Sequence, residues 1–174
     1  MRCLYLILFS AIVVSCKTKH EVLADNKETF FPTECPKDGT CTFELMPKKS
    51  LKTQNDNLGA LNMEIVNGKS LVLKFRYKRK EIPNTMDSQY IEQIFMVLDP
   101  NNLEMELKDS ELKNVNLLFA RFCYCKGQTG YYSVRQGELA IKKTKDNTYQ
   151  LHLNFKVDEV PQIITEINQV LALK

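Results

Sequence analysis

From Leu71 to Lys78 the chain alternates without a break: Leu71, Leu73, Phe75 and Tyr77 fall on one parity, Val72, Lys74, Arg76 and Lys78 on the other. A helix would scatter those apolar residues around its circumference, whereas successive side chains of a strand point to opposite faces. The stretch is therefore a strand with one face in a core and the other largely in water, and such a strand needs neighbours. The same period returns in Leu103, Met105 and Leu107, and again in Leu151, Leu153, Phe155 and Val157. Ser88 to Leu98 is apolar on both parities, which fits a strand buried on both faces, with a buried helix as the alternative. Val115 to Cys125 is the most apolar run and is expected near the centre of the sheet. Arg121 stands there in a row with Leu117, Phe119 and Cys123, so it must find a partner or the sheet's edge.

Turn chemistry separates these runs. Asn67-Gly68 between Leu61–Val66 and Lys69–Lys78 reads as a two-residue hairpin turn, because both residues tolerate positive φ. Pro47 closes a short strand over Cys41–Leu45, and Asp99-Pro100-Asn101-Asn102, Lys126 to Gly130 and Asp146-Asn147 mark further turns, while Lys108 to Asn114 reads as a connection. Short strands at this spacing predict a mainly β fold, an antiparallel sandwich or barrel-like sheet. Near the C-terminus the period changes. Asp158 suits a helix cap, Pro161 a first turn, and Ile163, Ile164, Ile167, Val170 and Leu171 recur at helical spacing, so a C-terminal helix is expected, with a final strand as the alternative.

The first residues are of another kind. Met1 and Arg2 form a short basic start, Leu4 to Val14 is almost wholly apolar, and Ile12-Val13-Val14-Ser15-Cys16 ends on a small residue followed by cysteine. The apolar run falls short of the roughly 20 residues that span a bilayer, so it is a signal segment. It resembles the lipobox of bacterial lipoproteins; an ordinary secretory signal beside a coincidental cysteine is the alternative. The resemblance implies cleavage before Cys16 and lipid attachment to it, which makes the membrane a partner through that anchor. It divides the chain into a signal peptide (1–15), a lipidated polar tether (16–29) and one β-rich domain (30–174). Lys17 is not the aspartate associated with inner-membrane retention, which points to the outer membrane of the cell envelope. The lack of an acidic cluster after it points towards the periplasm, with the cell surface as the alternative. The whole resembles small exported lipoproteins of Bacteroidota, a likeness that assigns no activity and carries over only Cys16.

Export bears on the remaining cysteines. Cys3 lies in the signal, leaving Cys35, Cys41, Cys123 and Cys125 for an oxidising compartment, where two disulfides are expected. The Pro36 to Thr40 loop can close Cys35 on Cys41. Cys123 and Cys125 on a straight strand would lie at the limit of bridging distance, so a local bond there needs a bend, and cross-pairing to the other two cysteines stays open. Their spacing is not that of a zinc ribbon, and no metal or cofactor is expected.

Removal of Arg2 with the signal lowers the net charge from +3 to +2. The one basic block, Lys74, Arg76, Lys78, Arg79 and Lys80, alternates on a strand and reads as a solvated face, so no nucleic-acid partner is expected. His152 is the one histidine outside the tether, and nothing near it forms a nucleophile motif. No residue is assigned a catalytic role. Glu104 and Glu106 read as a wet strand face. Tyr124, Gln128, Tyr131, Tyr132 and Arg135, clustered about a Gly-containing turn, are the candidate binding residues, since tyrosine and arginine dominate recognition hot spots. The sequence therefore predicts an envelope-anchored, non-enzymatic module for an unknown protein, glycan or apolar ligand. The alternative is a small periplasmic hydrolase or metal-dependent enzyme using His152.

Overall fold

A computed structural model describes residues 28–30, 32 and 34–173. The lipobox, Cys16 and the tether up to Lys27 lie outside the described residues.

The described chain is mainly β: ten strands in two antiparallel sheets and one short 3-10 helix. The first sheet contains β1 (Glu28–Phe30), β2 (Gly39–Asn55), β3 (Leu61–Arg79), β4 (Tyr90–Leu98), β6 (Leu118–Cys123) and β7 (Gly130–Ser133), in the order β1-β2-β3-β4-β6-β7. The second, in the order β10-β9-β8-β5, is made of β5 (Met105–Lys108), β8 (Gln136–Lys145), β9 (Thr148–Lys156) and β10 (Glu166–Ala172). The 3-10 helix Asp109–Val115, read from sequence as a plain connection, leads from the second sheet back to the first and buries Leu112 and Val115. Among the described residues, strand pairing begins at Glu28 opposite Leu45.

Alternation decides which residues meet. Leu71, Leu73, Phe75 and Tyr77 of β3, with Tyr90, Ile94, Met96 and Leu98 of β4, share one core with Leu139, Ile141, Leu151, Leu153 and Phe155 of the second sheet. Each such burial contributes about 1.5–3 kcal/mol. The opposite parity builds a second cluster on the first sheet's other face, where Val72, Phe95, Leu118 and Ala120 pack with Leu51, Leu61, Met63 and Ile65. β4 is thus apolar on both parities because it is covered on both faces, as its sequence requires.

The cover on the second face comes from a correction to the expected hairpin. Asn67-Gly68 is not a turn: β3 runs through it, and the true turn lies at 56–60, where the Asp56 carboxylate accepts from the backbone N–H groups of Leu58 and Ala60. Likewise β2 does not end at Pro47. The register slips there, Lys49 standing opposite both Ser70 and Asn67, and Lys48 takes φ 56°. Bulges bend strands, so this one folds the distal half of the long β2–β3 hairpin over the sheet until Leu61 pairs with Tyr131 of β7. Gly68 is needed at the bend because a Cβ there would meet the Ser50 Cβ at 2.7 Å.

The expected C-terminal helix is a second correction. Pro161 to Thr165 is a loop and β10 follows, its seven residues laddered onto β9 from Glu166 opposite Asn154 to Ala172 opposite Thr148. Ile163, Ile167 and Leu171 are four apart, a spacing that suits a helix face and a strand face equally. The exposed edge of β9 and the β-branched Ile and Thr residues decide for the strand.

Candidate functional site

The charged row that sequence left without a partner lies at one end of the first sheet. Cross-strand register places Tyr77 opposite Glu92 and Glu92 opposite Arg121, while Tyr90 stands opposite Cys123. All point towards the inter-sheet core. Glu92 is 0% exposed and Arg121 7%, so each needs compensation inside the protein.

That compensation is a chain of hydrogen bonds. Arg121 Nε donates to the Tyr90 hydroxyl (3.2 Å), which donates to Glu92 Oε1 (2.5 Å). The phenol therefore separates the two charges instead of letting them touch. Glu92 also accepts from the backbone N–H of Ile163 (2.7 Å) and of Ile164 (2.8 Å). A side chain of the first sheet thereby holds the loop between β9 and β10. Burial, reinforced by the bond to Glu92, pushes the Tyr90 phenol up to about 12. Burial, with a bond of 2.9 Å to Asp38, does the same for Tyr77. The Arg79 and Arg121 guanidinium carbons lie 4.8 and 5.2 Å from the Tyr90 ring centroid, within cation–π range.

Beyond Cys123 the chain leaves the sheet and bends. The bend brings the Cys123 and Cys125 Cα atoms to 5.2 Å, and the two are joined by a disulfide; Cys35 and Cys41 form the other. Both bonds are local, which resolves the pairing left open by sequence. Tyr124 lies between the bonded cysteines and is 84% exposed. The loop is fastened on both sides: the Thr129 hydroxyl donates to the Cys123 carbonyl (2.7 Å), Gln128 N–H donates to the Cys125 carbonyl (3.0 Å), and Arg121 Nη1 donates to Gln128 Oε1 (2.6 Å). An exposed aromatic side chain is thus carried on a loop anchored to the buried charge network.

The candidate binding residues do not form one patch. Tyr131 and Tyr132 take opposite faces of β7: Tyr131 packs on Phe122 and Phe95 with ring centroids 5.5 and 6.4 Å away, and Tyr132 packs on Phe119 at 6.4 Å. Burial raises the Tyr132 pKa. Arg135 is exposed in the connection to β8. Tyr124 and Gln128 remain together on the disulfide-closed loop. The same end of the first sheet carries exposed apolar residues that sequence did not single out: the 80–89 loop, which leads into β4 where Tyr90 stands opposite Cys123, exposes Ile82 and Met86, and the loop held by Glu92 exposes Ile163.

His152 lies elsewhere, on the outer face of the second sheet between Ala140 and Asn168. Its Nε2 is 2.9 Å from Glu166 Oε1, a contact that, with Asn168, holds the Glu166 carboxyl below the usual carboxylate range. It borders an open depression of about 370 Å³ with Glu106, Lys108, Glu111, Glu138 and Ala140. Two of the carboxylates there are paired with lysines, Glu106 with Lys142 at 2.7 Å and Glu138 with Lys108 at 2.6 Å, and Glu111 accepts from the backbone N–H of Lys108 (3.0 Å). Among the described residues, no hydroxyl or thiol bonds to His152, and no group of three or more His, Cys, Asp or Glu is arranged to hold a metal ion. No helix is long and apolar enough to cross a membrane among the described residues.

Set against protein-family models, curated proteins and solved structures, the chain matches none.

Proposed function

We propose that this chain is a lipid-anchored cell-envelope module, a β-sandwich in which the loops at one end of the first sheet bind a partner protein, glycan or apolar ligand without transforming it. The observation that carries this reading is the presentation of Tyr124. Tyrosine is among the residues enriched at binding hot spots; Tyr124 is exposed to 84%, and the disulfide between its two neighbours together with the Thr129 and Gln128 bonds restricts its backbone before any partner arrives. Such pre-organisation lowers the entropy lost on binding. Export through a lipobox ending at Cys16 supplies the oxidising compartment that the disulfides need and the membrane on which the domain is displayed.

The alternative, a hydrolase using His152, has the Glu166 contact in its favour but lacks a bonded nucleophile among the described residues. The test is binding of the wild-type chain and of Tyr124→Ala to envelope proteins and glycans. Loss of an aromatic anchor costs about 2 kcal/mol, or roughly thirtyfold in affinity, with folding stability unchanged. Equal affinity of the two chains for every ligand found would remove Tyr124, and with it this reading.

A further inference from the structure

We infer that the Cys123–Cys125 disulfide is a thiol–disulfide exchange site that accepts two electrons from the dithiol of another exported protein. Cross-linking stabilises by restricting the unfolded chain, an effect that shrinks with loop length, so a bond between cysteines two apart stabilises the fold less than Cys35–Cys41, six apart.

The two sulfurs of the bond are in different surroundings. Cys123 ends β6, stands opposite Tyr90 and packs against the inter-sheet core. Cys125 lies past the end of the strand, on the turn that carries the exposed Tyr124 and Lys126. Both cysteines are half-buried, but Cys123 packs against the core and Cys125 does not, so Cys125 is the sulfur assigned to attack by a partner. Two cations flank the bond in sequence. Lys126 follows Cys125, and Arg121 shares the face of Cys123 with Glu92 as its counter-charge through Tyr90. Positive charge beside a cysteine favours the thiolate, so Lys126 favours the release of Cys125 in the second step. In the other bond Cys41 is buried in β2 opposite Tyr77, and Cys35 is half-buried and packs against the same core.

The exchange runs in two steps. A partner thiolate attacks Cys125 Sγ, forming a mixed disulfide as the Cys123–Cys125 bond breaks, and its electron pair leaves on Cys123 Sγ. The partner's second thiolate then attacks its own sulfur in the mixed disulfide and releases Cys125 as a thiolate. The partner ends with a disulfide, and Cys123 and Cys125 end as thiols after taking up two protons.

The test uses the full chain, isolated from membranes in mild detergent, with dithiothreitol as the dithiol. Aliquots are alkylated over time and mapped by peptide mass while circular dichroism follows the fold. Cys123 and Cys125 are expected to open at least about tenfold faster than Cys35 and Cys41, with the dichroism unchanged. Equal rates, or opening only as the fold is lost, would overturn the proposal. In a second arm that fixes the attacked sulfur, the oxidised chain is treated with reduced glutathione, the mixed disulfide is trapped with acid and the peptides are mapped; glutathione on Cys125 is expected, and glutathione on Cys123 would overturn the assignment of Cys125.

Discussion

Replacing Glu92 by glutamine keeps the side-chain volume and removes the charge. The carboxylate accepts three bonds on two oxygens, from Tyr90, Ile163 and Ile164; the amide has one oxygen, so at least one buried donor is left facing an NH2 group. An unsatisfied buried donor costs about 1–3 kcal/mol. Arg121 also loses its buried counter-charge, a loss that in directly paired ions costs about 3–5 kcal/mol. Here the Tyr90 hydroxyl stands between the charges, which places that part at the low end. Together they give a destabilisation of about 4 kcal/mol, or roughly 10–15 °C in Tm for a domain of this size. The assay is urea unfolding of the disulfide-intact chain at neutral pH, repeated for Arg121→Met and for the double variant. If the two charges compensate each other through Tyr90, the double variant is less unstable than the sum of the singles by at least about 1 kcal/mol. Hydrogen exchange at Ile163 and Ile164 should quicken in Glu92→Gln. A loss within about 0.5 kcal/mol, or strictly additive costs, would refute the account of this network.

Other consequences follow from the same contacts. Tyr77 and Tyr90 hold their protons to about 12 in the folded state against 10.0 ordinarily, so the unfolded chain releases them first. Stability present below pH 10 is then lost as the pH rises towards 12, and absorbance at alkaline pH should show two phenols that ionise only near that upper limit or on unfolding. Removing the Cys35–Cys41 bond by a double serine substitution should lower stability by about 2 kcal/mol and removing Cys123–Cys125 by somewhat less, as read from denaturant midpoints. Gly137 has φ +138° and a Cβ there would meet the Asn154 carbonyl oxygen at 2.2 Å; Gly137→Ala should cost more than about 2 kcal/mol, combining strain and collision.

Strand period was legible wherever one face is wet, as in β3 from Leu71 to Lys78, and where both faces are dry, as in β4. What misled was local chemistry that serves two geometries. Asn67-Gly68 suits a tight turn, but it suits a bend in a long strand as well, and only the packing of Leu61, Met63 and Ile65 on Phe95 and Leu118 decides between them. The four-residue spacing of Ile163, Ile167 and Leu171 fits both periods, and the ladder on β9 is a tertiary fact. Arg121 was visible as a charge in an apolar row. Glu92 sits in an apolar row with Tyr90, Ile94 and Met96 and was readable in the same way, although its meeting with Arg121 depends on β4 lying beside β6. The separation of Tyr131 from Tyr132 follows from strand alternation alone, whereas the placing of the 80–89 loop beside Cys123 and of the Ile163 loop on Glu92 depends on strand order, which no local pattern encodes.

The central claim, an exported and lipid-anchored domain closed by two local disulfides, is tested most directly by the intact mass and peptide map of the chain recovered from membranes without reductant. The expected result is an acylated N-terminal Cys16 with residues 1–15 absent, and Cys35–Cys41 and Cys123–Cys125 linked, the polypeptide lighter by about four hydrogens than its reduced form. A chain still carrying Met1 to Ser15, or four free thiols around a bound metal ion, would contradict it.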